Sequence, residues 1–166
     1  MHQQLGSLVG ATVGGVLGTA FMEQGMKLQG KLPESLRPAP PRQDPAEYIL
    51  DQLESRRGRP LSPTAHRRVS QGLHWAYGIG WSGLLGLLGP RLGMNRPGRA
   101  AIAGAALGAG VWAAGYLGWL RGADLVPPVK DRGVGGMLSN LLTHVGYGLV
   151  AALPIHVANR VACQRR

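Results

Sequence analysis

Four long stretches of this chain carry no charged side chain. Residues 1–22 contain no Asp, Glu, Lys or Arg; nor do the 22 residues between Arg68 and Arg91, the 21 between Arg99 and Arg121, or the 27 between Arg132 and Arg160. A helix needs about 20 apolar residues to cross about 30 Å of hydrocarbon. A helix lying against water would carry polar or charged residues along its outer face. The stretches predict an all-α integral membrane four-helix bundle, with spans at about 5–27, 63–90, 99–120 and 134–161 in one domain of 166 residues. Mean hydropathy is close to zero because the charges are concentrated in the connections.

Small residues dominate the spans. Gly6, Gly10, Gly14 and Gly18 recur every four positions and form one stripe along the first helix. Gly104 and Gly108, beside the row Ala101, Ala105, Ala109 and Ala113, do the same in the third. Such ladders bring helix backbones into close contact in lipid. For the first ladder a partner within the chain is favoured over a second copy. The first stretch lacks a basic leading region, and Thr19-Ala20-Phe21-Met22 is a poor cleavage site, so it reads as a retained span and not as a signal peptide.

The one long connection, 28–62, opens with Pro33, Pro38, Pro40 and Pro41. Asp44-Pro45-Ala46-Glu47 then starts a short helix, about 45–57, with Asp at the N-cap, Pro in the first turn and Gly58 as its stop. Tyr48, Ile49, Leu50 and Leu53 give it an apolar side, which suits either the membrane surface or the protein's own loops. Pro154 predicts a kink in the fourth span.

Spans two and four share a motif. Ser70-Gln71-Gly72-Leu73-His74-Trp75-Ala76-Tyr77-Gly78 matches Asn140-Leu141-Leu142-Thr143-His144-Val145-Gly146-Tyr147-Gly148. In both, a small polar residue precedes His by four and Tyr-Gly begins three after it. The unit is a helical hairpin used twice, related by an axis along the membrane normal. His74 and His144 then enter the bilayer from one side, reach similar depth and face each other. Ser70, His74 and Tyr77, and likewise Asn140, His144 and Tyr147, form an intramembrane polar cluster on one helix face each.

Polar residues inside a membrane are functional candidates. Three readings compete for the histidines. The favoured one is structural, with each imidazole hydrogen-bonded to Ser70, Asn140 or a backbone carbonyl. The second is a proton or ion path that uses the His–Tyr pairs. The third is a b-type haem held by His74 and His144 as axial ligands. Glu23 and Lys27 are spaced for an i, i+4 ion pair, and His156 reads as structural. A lone cysteine, Cys163, excludes an internal disulfide and a multi-cysteine metal site; it reads as an unmodified thiol before a lipidation site. No paired carboxylates in a span, phosphate loop or metalloprotease motif is present, so an enzymatic role is disfavoured.

The net charge of +10 points to anionic lipid headgroups and not to nucleic acid, because the basic residues flank the spans. Lys/Arg counting puts the long connection in the cytoplasm, whereas charge density in the short segments argues the reverse. Gly, Ala and Arg content suggests a GC-rich bacterial source.

The order of features resembles a known family. A Gly-rich first span leads to Pro40-Pro41-Arg42. A His-bearing second span and a Gly/Ala third span ending in Pro127-Pro128 follow, and then a fourth span with His144 and the basic Arg160. This is similar to the YagU-like bacterial inner-membrane proteins, whose domain has no assigned function; Glu23 stands where that family carries Lys. The resemblance implies a multi-pass inner-membrane protein and no particular reaction. Together these features lead to the expectation of a non-enzymatic membrane protein, a homo-oligomer or an accessory subunit of a larger membrane complex.

Overall fold

The structure, a computed structural model, describes residues 2–164 and the side chains of 4–164. Those residues form helices and loops with no strand. The main helices are α1 (His2–Gln29), α2 (Pro45–Arg57), α3 (Pro63–Leu92), α4 (Pro97–Trp112) and α5 (Val134–Gln164). A wider π-type coil over Ala113–Trp119 and a last turn, Leu120–Gly122, prolong α4. α3 runs through Pro90 and α5 through Pro154, each as one helix.

Local chemistry explains where the helices start and stop. Asp44 caps α2 by accepting from the backbone N–H of Ala46 at 2.8 Å and Glu47 at 3.1 Å, and Pro45 needs no such partner. Gly58 ends α2 at φ 63°, a left-handed conformation that costs a residue with a Cβ more than it costs glycine. Ser62 accepts from Ala65 N–H at 3.3 Å to start α3.

Three helices are long and apolar enough to cross a membrane: Gln4–Gln29, Pro97–Gly122 and Val134–Gln164. α3 is as long as the others but less apolar, because Ser70, Gln71, His74 and many glycines dilute its leucines.

α1 is the centre of the packing. Gly14 faces the Ala151 carbonyl of α5, whereas its neighbour Gly15 faces Ile79 and Ser82 of α3, so α1 stands between those two helices. On the other side of α5, Gly104 and Gly108 of α4 sit against the backbone at Gly148 and His144. The order across the bundle is therefore α3, α1, α5, α4. α3 and α4 touch little and leave between them an apolar groove of about 600 Å3, lined by Leu84, Leu88, Ile102 and Leu107. A twofold relating the hairpins would pack α4 on α3 as α1 packs on α5. The groove shows that the two hairpins are packed differently.

The two ends of the bundle are tied separately. At one end Asn159, fully buried, donates to Ser7 Oγ at 3.2 Å. Ser7 in turn donates to the Gly86 carbonyl at 2.6 Å, and His156 Nδ1 meets the Met94 carbonyl at 2.7 Å. At the other end the long connection lies on the α4–α5 loop: Arg42 N–H donates to the Leu125 carbonyl at 2.8 Å and its guanidinium pairs with Asp124. α2 buries Ala46 and Leu50, and Tyr48 packs on the buried group Leu120, Leu125 and Val126. Ile49 and Leu53 point outward.

Candidate functional site

The six residues of the paired motif do not form one cluster. On α3, Ser70 belongs to a buried stripe with Gly78, Ser82 and Gly86. That stripe faces α1: Gly78 abuts Thr19, and Ser82 Oγ donates to the Ala11 carbonyl at 2.8 Å. His74 lies between Ser70 and Gly78 at helical spacing, with its Nε2 buried and unpartnered. On α5, Asn140 and His144 turn toward α4. Tyr147 turns the other way, past Gly18 of α1, and its hydroxyl donates to the Gly78 carbonyl of α3. Tyr77, its counterpart in the motif, is 44% exposed and meets Trp81 edge-on.

α3 and α5 run the same way from the Tyr147–Gly78 contact. His74 is four residues before Gly78 and His144 three before Tyr147, so the histidines share a level. They do not share a space. His144 Nδ1 is held by the Asn140 carbonyl at 2.9 Å, and the Tyr116 ring packs edge-on against it, centroids 5.8 Å apart. α1 stands on the His74 side. The expectation of facing histidines fails because α1 occupies the interface that a twofold would have given to α3 and α5. A haem with His74 and His144 as axial ligands needs both imidazoles on one cavity, and this arrangement does not fit it.

The glycine ladders are used unevenly. Gly10, Gly14 and Gly18 meet the Pro154 carbonyl, the Ala151 carbonyl and the Tyr147 ring, all within the chain, whereas Gly6 has nothing within 4 Å. Glu23 does not pair with Lys27 among the described residues; it accepts from Gln71 of α3 at 3.1 Å.

A different cluster emerges around Tyr116, which the π-type coil turns toward α5. Such coils recur at functional sites because they re-aim side chains. Trp112 stacks on the Tyr116 ring at 6.4 Å and 14°. Asn140 Nδ2 donates to the Tyr116 hydroxyl at 3.2 Å. Arg132 lies over the ring at 5.8 Å, a cation–π distance. Its Nε donates to the Pro127 carbonyl at 2.7 Å and its Nη1 to the Tyr116 carbonyl at 3.0 Å. The paired sequence motif includes Asn140 and His144 but neither Trp112 nor Tyr116. Their four-residue spacing opposite Asn140 was the available signal. Arg132 had none, being one of many basic loop residues.

The described residues bring one set of metal-ligand types together: Asp51, Glu54 and His66. His66 Nδ1 meets Glu54 at 3.0 Å, whereas Nε2 points to Asp51 at 3.8 Å. Two ring nitrogens aimed at two carboxylates form an imidazole bridge that fastens the start of α3 to α2. Compared with family models, curated proteins and solved structures, the chain matches none.

Proposed function

We propose that this chain is a four-span membrane protein that serves as a non-catalytic subunit of a homo-oligomer or a larger membrane complex. The observation that carries this reading is the side of α3 turned away from α1, which includes its wall of the groove beside α4. Val69, Leu84, Leu87, Leu88 and Leu92 are 41–50% exposed there. Water would leave that surface uncovered, and isolated apolar residues are ordinary but continuous rows mark an interaction surface. The buried side of α3 turns Ser70 and Ser82 toward α1, where Ser82 Oγ donates to the Ala11 carbonyl, and the side turned away is apolar enough for lipid or another subunit. Val9, Val13 and Val16 of α1 and Leu142, Leu149 and Leu153 of α5 present the same kind of face.

In this reading α2 rests on the membrane surface with Ile49 and Leu53 toward the interface, and the basic connections meet anionic headgroups. The resemblance to YagU-like proteins supports a bacterial inner-membrane setting. Native mass spectrometry from mild detergent or nanodiscs tests assembly. The expected result is a multiple of the monomer mass or a co-purifying membrane subunit. A lone monomer from both preparations contradicts the subunit role.

A further inference from the structure

The space beside Tyr116 is lined by Trp112, Arg132 and Asn140, and each of these residues has a buried polar atom that lacks a partner: Trp112 Nε1, Arg132 Nη2 and Asn140 Oδ1. Arg132 is 7% exposed and Asn140 6%. A buried donor or acceptor left unpaired costs about 1–3 kcal/mol, so three around one space are a strong requirement for something to fill it. Two of them donate outright. The Asn140 amide joins them if it is turned over: its oxygen then accepts from the Tyr116 hydroxyl and its NH2 faces the space, an assignment the hydrogen-bond chemistry permits equally.

Charge decides between candidate occupants. No carboxylate pairs with Arg132 among the described residues. Burial lowers the guanidinium's pKa from its ordinary value, yet an arginine stays charged. A buried cation without a counter-charge is costly. The space also lies at the start of α5, next to Gly133 and Gly136, where the helix dipole favours negative charge. The free centre is about 10 Å3, roughly the room one water-sized body needs and too little for a phosphate.

We propose that this space is a binding site for one small monovalent anion of halide size, held by Arg132, Trp112 and Asn140 and ordering the α4–α5 loop. The competing occupant is a neutral water molecule. The site is independent of whether the chain assembles.

The test uses the purified full-length protein in detergent, with sodium gluconate replaced by sodium chloride or bromide at constant ionic strength. Chloride and bromide are expected to raise Tm with the logarithm of their concentration, by about 5–10 °C at about a hundredfold excess over the dissociation constant. Arg132→Met is expected to abolish the halide response. Asn140→Asp supplies an internal carboxylate and is expected to give, in gluconate, the Tm that the unaltered protein reaches only in chloride. Equal Tm in chloride and gluconate, or a response that survives Arg132→Met, overturns the proposal. Should either variant fail to fold, crystals of the unaltered protein in bromide decide. An anomalous peak among Trp112, Arg132 and Asn140 upholds the site, and an ordered water without such a peak overturns it.

Discussion

Gly108→Leu is expected to separate α4 from α5 and cost at least about 3 kcal/mol, the upper range for overpacking a tight interface. A Cβ at Gly108 would meet the His144 carbonyl, whose carbon is 2.7 Å away, and the Val145 Cα at 2.7 Å. These are backbone atoms of a long helix and cannot swing aside as a side-chain tip can. The side chain would also push His144 off Tyr116 and so disturb the cluster around that ring. Gly6→Ala is the matched control. It alters the same kind of ladder where nothing lies within 4 Å, and its unfolding free energy is expected to stay within about 0.5 kcal/mol. Unfolding of both variants in the same detergent checks the pair. A Gly108→Leu protein as stable as the unaltered one, or more stable as helix propensity alone would make it, would mean that the ladder does not act through backbone contact.

Gly80→Arg carries the second large effect, and its sign depends on the surroundings of α3. Gly80 is exposed and has nothing within 4 Å, at the middle of the charge-free run. In water, replacing a mid-helix glycine with arginine would stabilise by up to about 1 kcal/mol through helix propensity. In a bilayer a central arginine costs about 2.5–3.5 kcal/mol. The four-span reading therefore predicts destabilisation or failed insertion, read as loss of folded protein in nanodiscs. A more stable Gly80→Arg protein would place that side of α3 in water.

What the sequence made legible follows from how lipid selects residues. The charge-free runs located the long helices because hydrocarbon excludes charge on every face, whatever the packing. The apolarity of α3 was harder to read, since Ser70, Gln71 and Ser82 are polar yet sit inside or beside the bundle. The shared level of His74 and His144 was legible because depth depends on distance from the helix start. Their facing was not, because it depends on which helix lies between, and α1 took that place. In the same way the spacing of Glu23 and Lys27 permits a pair, but Gln71 arrives from another helix and takes the carboxylate. The Gly10–Gly14–Gly18 stripe marked close approach without saying that Gly6 lies beyond the contact. The Tyr116 cluster was least legible. It needs the loop before α5 to fold back so that Arg132, 16 residues away in sequence, reaches the Tyr116 carbonyl.

The central claim, that α3 crosses the membrane with the other three helices, fixes the side on which each connection lies. Single cysteines placed in a Cys163→Ser background at Gln52, Asn95 and Lys130 can be labelled in sealed membranes with an impermeant maleimide. Four crossings predict that Gln52 and Lys130 label from one side and Asn95 only from the other. Labelling of Gln52 and Asn95 from the same side would show that α3 does not cross, and would contradict the account.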